Sequence, residues 1–362
     1  MAALTRLSVV VVTYNCREAV GRSLPPLVEQ LHDDDELVVI DNASTDGTAD
    51  AVREVAPGGV VVEPGRNLGF AAGCDAGAER ASGELLLFLN PDATVGPGFR
   101  DAIERPLAER RGWAAWMGLV TAEAGRVVNT EGGVVHFTGI AWAGGAGRRI
   151  EGEGDRPAAG EVGFASGACL AIPRPSWESA GGFPGPFFLY HEDVDLSLRA
   201  RLAGGLVGIE PTAEVDHEYE FEKGPDKWRF MERNRAATVI RTYPTALLVL
   251  LAPALAATEL ALVPISLSGG WGRHKLLAWT DVVRWLPRLV RERREIQARR
   301  RVSAAAFAAT LTPDLSSSYL GRLGALAPLR WALRGYWSVV LGLLRALDPG
   351  SSPGARSGTS AP

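Results

Sequence analysis

Cysteine is scarce. The chain has three in 362 residues, Cys16, Cys74 and Cys169, far apart and without a CxxC pair. That excludes a disulfide framework and a cysteine-built zinc site, and makes a reducing cytoplasm the simplest compartment. Excess positive charge is also missing: the formal net charge is -4. A general nucleic-acid binder is therefore excluded. Lysine is rare too, with Lys223, Lys227 and Lys275 the only three among 38 basic residues. We read that as a compositional bias. The N-terminus lacks the features of a secretory signal. One Arg precedes a short apolar run that stops at Thr13-Tyr14-Asn15, with no small-residue cleavage pattern. No Gly-x-Gly-x-x-Gly follows that run, which speaks against a dinucleotide-binding oxidoreductase or a methyltransferase. The glycine-rich, arginine-containing loop of a sugar nucleotidyltransferase is missing from the same place. No internal repeat is apparent.

What is present is enough apolar residue to build a core, 46% hydrophobic against 22% charged. The length fits a core domain of about 200–250 residues plus an appendage. Charge divides along the same line. Residues 1–269 carry 23 Lys+Arg and 37 Asp+Glu, a balance of -14, and residues 270–362 carry 15 and 5, a balance of +10.

The first hundred residues alternate apolar runs with helix-compatible stretches. Leu7–Val12, Leu37–Ile40, Val60–Val62 and Leu85–Leu89 lack polar alternation, as strands buried on both faces do. Between them Arg17–Leu31, Thr48–Val55 and Ala71–Ala81 fit helices, the first broken or kinked at Pro25-Pro26. The spacing predicts βαβ units and an open α/β sheet, mainly parallel, with helices on both faces. Each strand ends in a polar cluster: Thr13-Tyr14-Asn15, Asp41-Asn42, Asn67, and Asn90-Pro91-Asp92. Any strand can end in turn residues. Four such clusters on one edge point to a nucleotide-type pocket, because open α/β sheets bind ligands at that edge.

Short strands and glycine-rich turns follow from Trp113 to Arg174, with a loop near Gly144–Ala159. A helix is expected from His191 to about Ala203, two short strands at Val207–Ile209 and Ala213–Asp216, and a helix over Asp226–Thr242. Residues 246–268 are strongly apolar but interrupted by Pro253, Glu259 and Pro264, which predicts a helical hairpin or an interfacial helix rather than a span. Residues 273–301 hold ten Lys+Arg and three acids, and Arg334–Leu347 is apolar again. Apolar helices beside a basic segment suit an anionic membrane surface. A helical bundle packed on the main domain is the alternative. The expected division is 1–243 for the catalytic domain, 244–348 for the apolar and basic helices, and 349–362 for a disordered tail.

Three places could carry chemistry. Asp92 at a sheet edge is placed to hold a divalent cation, since Mg²⁺ and Mn²⁺ prefer oxygen ligands and bridge carboxylate to diphosphate. An Asx-Pro turn capping the next helix is the plainer alternative. The run Phe187-Phe188-Leu189-Tyr190-His191-Glu192-Asp193-Val194-Asp195 places three acids where a helix begins. The helix dipole favours acids there, and Arg199 explains Asp195 as an i,i+4 pair. Glu192 and Asp193 have no such partner, and the aromatic run could desolvate a carboxylate into a better base. His217 could complete a cation site if the fold brings it to Asp92.

In order and spacing these segments resemble the family 2 glycosyltransferases, in particular rhamnosyltransferase-like members of bacterial cell-surface polysaccharide synthesis. The matching residues are Val9–Asn15, Val39–Thr48, Arg66–Ala72, Leu87–Asp92, Ser166–Leu170, Phe187–Arg199 and His217, covering roughly residues 5–240. The resemblance implies a GT-A fold, a nucleotide-diphosphate sugar donor and an inverting displacement. It places Thr13, Tyr14, Asn15, Asp41 and Asn67 around the nucleotide, with Asn90 and Gly167 also at the donor. It gives Asp92 the metal role of the family's DxD motif, with His217 as second ligand of a Mg or Mn ion. It gives Asp193, paired with Glu192, the role of general base. Asn90 stands where the usual first Asp of DxD would be, a weaker and neutral ligand. Rhamnose from a dTDP donor, a glycan or polyprenyl-diphosphate-linked acceptor, and a peripheral place at the inner face of the cell membrane are implied in the same way. A non-catalytic scaffold of the same fold is the competing reading.

Overall fold

A computed structural model describes residues 5–217, 226–315 and 326–347. The expected tail at 349–362 lies outside the described residues. The first half alternates as the apolar runs require: β1 (Leu7–Thr13), α1 (Arg17–Val28), β2 (Glu36–Asp41), α2 (Thr48–Val55), β3 (Val60–Val62), α3 (Gly69–Arg80) and β4 (Leu85–Leu89). Strands β3, β2, β1 and β4 lie side by side, all parallel. Every residue of β1 and β4 is buried, as strands covered on both faces must be. Helix α3 approaches β1 closely. A Cβ at Gly77 would come 2.3 Å from Val10 and one at Gly73 2.8 Å from Val12.

The second half is mixed. It contains β5 (Ala93–Val95), α4 (Phe99–Ala108), β6 (Trp113–Ala122), β7 (Val127–Thr130), β8 (Gly133–Val135), β9 (Ala141–Ala143), β10 (Gly160–Glu161), β11 (Cys169–Pro173), α5 (Arg174–Ala180), α6 (Glu192–Leu202) and β12 (Leu206–His217). Strand β11 joins the parallel half by running antiparallel to both β4 and β6, and β12 lies parallel to β6. The two short strands expected near 207 and 213 are one strand, β12, with an irregularity between Glu210 and Glu214. Likewise α1 continues through Pro25-Pro26 to Val28 instead of breaking.

Register sets the functional rim. Thr13 pairs with Asp41 and Val11 with Leu89. Cys169 pairs with Leu89 from the opposite direction. The segments after β1, β2 and β4 and the one before β11 therefore meet at one edge.

The C-terminal third is helical: α7 (Lys227–Thr242), α8 (Thr245–Ser268), α9 (Gly272–Ala298), α10 (Ala304–Ala308) and α11 (Ala327–Leu347). The expected hairpin within 246–268 is absent. One helix of 24 residues runs through Pro253, which alanine and leucine flank on both sides, and through Pro264, which stands between Val263 and Ile265. The chain reverses only at Gly269-Gly270, where Gly270 has φ +75°. These helices share a core with α6: Val194, Leu198 and Leu202 pack in one cluster with Leu247, Leu251, Phe307, Trp337 and Leu344. Their other faces are bare. Among the described residues every exposed large apolar side chain except Tyr14 lies between Val249 and Leu347.

Candidate active site

A cleft of about 1720 Å³ opens at the rim where the strands end. Thr13, Tyr14, Asn15, Asn67, Asn90 and Gly167 line it, together with Asp92, His217, Glu192 and Asp193. The carboxylates at 92 and 193 thus face one cavity, although 101 positions separate them in the chain. Asp41 is placed differently. It is 1% exposed and does not line the cleft. Its oxygens accept from Thr13 Oγ1 at 2.8 Å, Ser44 Oγ at 2.5 Å and Ser44 N–H at 3.0 Å. Asp41 therefore fastens the turn after β2 to the end of β1. The lining side chains on that turn are Asn42 and Asp46, within the Val39–Thr48 block but not among the expected donor residues.

Asp92 and His217 meet because of strand pairing. Strand β5 begins one residue after Asp92 and runs antiparallel to β12, with Ala93 opposite His217. His217 is 2% exposed, and its Nε2 stands 3.0 Å from Asp92 Oδ1 and 3.3 Å from the Asn90 amide nitrogen. Its backbone carbonyl accepts from Asn129 Nδ2 at 2.9 Å. Two ligands on adjacent corners of an octahedral Mg²⁺ or Mn²⁺, each at about 2.1 Å, lie about 3.0 Å apart. A carboxylate oxygen and an imidazole nitrogen at that spacing on a cleft wall fit such a cation. No third His, Cys, Asp or Glu joins them among the described residues, so the other positions would fall to Asn90, water and the donor. The Asx-Pro cap is not formed, since Gly98 is the residue preceding α4.

The acid pair sits at the first turn of α6, at the end of a strained segment. Phe188, Tyr190 and His191 have φ of 65°, 71° and 68°, a region that non-glycine residues avoid. The side chain of Asn234, fully buried on α7, holds this segment. Its amide donates toward the carbonyls of Phe187 at 3.1 Å, Leu189 at 2.9 Å and Tyr190 at 2.7 Å. Arg233 adds a bond to Phe187 O at 2.8 Å. From the other side the Phe70 N–H donates to Phe188 O at 2.7 Å. Gly69, with φ +79°, permits that approach, since a Cβ there would lie 2.5 Å from Phe188 O.

The result is an aimed carboxylate. Asp193 Oδ2 accepts from Gly167 N–H at 3.0 Å, and Oδ1 from Val194 N–H at 2.8 Å. A carboxylate has about four lone-pair sites, so capacity remains for a substrate hydroxyl. Burial raises the pKa of Asp193 even though these N–H groups pull it down. Glu192 is 5% exposed and rises further, through burial and then the charge of Asp193. Two adjacent buried acids do not both ionise readily, so Glu192 favours its neutral form. Asp195 has the expected partner, Arg199 Nε at 2.6 Å, and a second in Arg241 at 3.0 Å. It ties α6 to α7.

One wall of the cleft was not foreseen. Glu232 and Arg235 of α7 line it, with Trp228 and Met231. Arg235 pairs with Glu232 and with Glu259 of α8, and Lys275 of α9 bonds the same two acids, at 2.7 Å to Glu259. Trp279 Nε1 donates to Glu259 at 2.8 Å. Burial alone would raise Glu259, but Arg235 and Lys275 hold it at about 2. The acid that interrupts the apolar run is therefore the anchor of α8 on the catalytic body. The charges of α7, α8 and α9 lie apart along the chain, and only the packing of the three helices brings them together.

With this geometry in view, comparison with known proteins decides the family. The model of "Glycosyl transferase family 2" matches residues 8–110. An N-acetylglucosaminyl-diphospho-decaprenol L-rhamnosyltransferase of Mycobacterium tuberculosis is 30% identical over 261 residues, 65% of this chain and 83% of that protein. The chain belongs to the family 2 glycosyltransferases. An uncharacterized glycosyltransferase of Nostoc is 31% identical over 90 residues, 24% of this chain and 28% of that one. A solved structure of GalNAc-T7 with UDP, GalNAc and Mn²⁺ superposes with TM-score 0.55 at 16% identity, over 71% of this chain and 52% of that one. The fold of this transferase is accordingly GT-A, followed by a C-terminal helical region, and the enzyme is an inverting glycosyltransferase of the rhamnosyltransferase-like kind. No observation favours the non-catalytic scaffold.

Proposed function

We propose that this transferase moves rhamnose from a nucleoside-diphosphate donor, dTDP-rhamnose first, to a hydroxyl of a polyprenyl-diphosphate-linked glycan at the inner face of the cell membrane. The observation that carries the reading is the single cleft shared by the Asp92–His217 corner and the aimed carboxylate of Asp193. The name of the mycobacterial relative supports the sugar and the lipid-linked acceptor. The bare apolar faces of α8, α9 and α11, beside exposed Arg284, Arg291 and Arg294, support the membrane. Helix α8 is long and apolar enough to cross a membrane by length and composition. Its anchor through Glu259 instead favours a helix lying on the surface beside the catalytic domain of residues 1–243.

In this reading Asn67, Asn90 and the rim residues Thr13 to Asn15 hold the donor, and Asp41 shapes the turn behind them. Asp92 and His217 are the residues that would hold a Mg²⁺ or Mn²⁺ ion. When bound, the ion offsets charge on the diphosphate leaving group. Asp193 accepts the proton of the acceptor hydroxyl on a carboxylate oxygen. The oxygen so released attacks the anomeric carbon from the face opposite the diphosphate. The C–O bond to the diphosphate breaks as the new glycosidic bond forms, so configuration inverts in one step.

A thermal-shift screen of nucleotide sugars with and without Mn²⁺, followed by transfer assays on lipid-linked acceptors, tests this. Stabilisation by dTDP-rhamnose that needs Mn²⁺, with transfer to the lipid-linked glycan, is expected. Stabilisation by a different donor, or transfer only to acceptors without a lipid diphosphate, would overturn the substrate assignment.

A further inference from the structure

Helix α9 has two unlike faces. Leu276, Trp279, Val283, Leu286 and Val290 recur at alternating steps of three and four residues, and all are exposed. Asp281, Trp285 and Leu289, each four residues from the next, share another face. Asp281 and Leu289 are buried there, and Trp285 is half-buried against the small core built on Phe187, Ala237 and Leu289. That inner face meets Arg233 of α7. The buried guanidinium lies 4.3 Å from the centre of the Trp285 ring and 4.8 Å from that of Phe230. Both distances suit a cation over an aromatic face, an attraction that grows when water is excluded. Trp285 also stacks with Phe187, ring centres 6.4 Å apart and planes 12° from parallel. Asp281 stands 3.9 Å from Arg233 and is itself held by Arg229 at 2.7 Å.

The hydrogens of Arg233 connect this face to the catalytic end of the cleft. Its Nη2 donates to Phe187 O at 2.8 Å, and its Nε donates to Asn234 Oδ1 at 2.9 Å. A guanidinium has no acceptor, so the amide oxygen of Asn234 must face it. The amide nitrogen is thereby turned toward the carbonyls of Phe187, Leu189 and Tyr190, in the segment that delivers Asp193. None of Arg233, Asn234 and Trp285 lines the cleft, so they act through the backbone and not on substrate. We propose that Trp285 is a positioning residue for the general base. Its ring holds the Arg233 guanidinium where it orients Asn234 and binds Phe187 O, which makes the helical region after the sheet part of the catalytic apparatus. The inference rests on Asp193 as the base, read above, and adds the remote element on which its aim depends.

The test uses the full-length protein in detergent. It reads amide hydrogen exchange by mass spectrometry, donor titration, and single-turnover transfer from dTDP-rhamnose to N-acetylglucosaminyl-diphospho-polyprenol. Trp285→Leu is expected to speed exchange in residues 187–193 about tenfold while β1 and β4 stay protected. It is expected to lower the transfer rate about tenfold at unchanged donor affinity. Trp285→Phe, which keeps a ring face, is expected to stay within about threefold of wild type in both readouts. Arg233→Met removes the donors and keeps the stem, with Asp281 still paired to Arg229. In that background Trp285→Leu is expected to cost nothing further, because contacts that act in series are not additive. Unchanged exchange in residues 187–193 of Trp285→Leu would overturn the proposal, and this readout does not depend on the choice of substrates. Exchange that rises equally in β1 and β4 would overturn it too, since the tryptophan would then be merely structural. So would Trp285→Phe as slow as Trp285→Leu, or full additivity with Arg233→Met. Transfer by Asp193→Asn at the wild-type rate would overturn the base reading and this inference with it. Trp285→Leu at the wild-type rate beside an inactive Asp193→Asn would overturn this inference alone.

Discussion

Asn234 touches none of the expected substrates, yet the geometry makes it a positioning residue for catalysis. Its two amide hydrogens serve three carbonyls of the segment that delivers Glu192 and Asp193. Replacement by Leu keeps the approximate volume and removes both donors. A buried carbonyl left unsatisfied costs about 1–3 kcal/mol, so the segment loses roughly 2–6 kcal/mol of support with two bonds gone. The same segment carries three non-glycine residues at positive φ, each strained by about 1–3 kcal/mol. Without the amide, relaxation of that strain is favoured and the first turn of α6 shifts. A displacement of about 1 Å at a reacting group costs on the order of 10²-fold in rate. We expect Asn234→Leu to lower kcat by roughly 10–100-fold while donor affinity changes little, since Asn234 is not a lining residue. Steady-state transfer kinetics, donor titration and a thermal melt on one preparation measure the three quantities. A kcat within about twofold of wild type would refute the reasoning. It would mean that Arg233 and the Phe70 N–H hold the segment without help.

The remaining predictions concern charge. Asp92→Ala should weaken Mn²⁺-supported donor binding and turnover together, and an unchanged titration of donor with Mn²⁺ would count against that role. Glu192 has a folded-state pKa above its ordinary value of 4.5, so its proton stabilises the fold at low pH and that stability is lost as pH rises through the raised value. Glu192→Gln should therefore gain melting temperature relative to wild type as pH is raised from about 5 to 8, and a constant or shrinking difference would contradict the assignment. Because burial also raises Asp193, the acidic limb of kcat against pH should lie above the ordinary aspartate value of 3.8. A profile flat down to that value would sink the base assignment.

Much of the rim was legible in the sequence because it depends on local pattern. Four apolar runs, each followed by a polar segment that holds Asn or Asp, imply parallel strands with their polar ends on one edge, and Thr13, Asn67 and Asn90 are found there; only the third, Val60–Val62, is half-buried rather than covered on both faces. The Asp195–Arg199 pair was legible because i,i+4 spacing on a helix is fixed. What sequence patterns left open was pairing across long separations. That β5 and β12 lie antiparallel, and so set Asp92 beside His217, follows from sheet topology. Asn234 looks like any polar residue of a helix until its partners are known. Asp41 was expected near the nucleotide, but a carboxylate at a strand end can equally hold the adjacent turn, and here its bonds to Thr13 and Ser44 turn it away from the cleft. Pro253 and Pro264 predicted a break in 246–268. The helix runs through both prolines instead, and the alanine and leucine around Pro253 favour that continuation.

The central claim is that the Asp193 carboxylate takes the acceptor proton in a cleft that binds the donor independently. Asp193→Asn keeps one oxygen to accept the Gly167 N–H and removes the basic site, with the amide –NH₂ standing where Oδ1 accepted the Val194 N–H. The most direct measurement is single-turnover transfer by this variant with donor binding followed in parallel. The account predicts a rate lower by about 10²–10⁴-fold with donor and Mn²⁺ binding retained. Transfer within a few-fold of the wild-type rate, by a variant that binds donor normally, would contradict it.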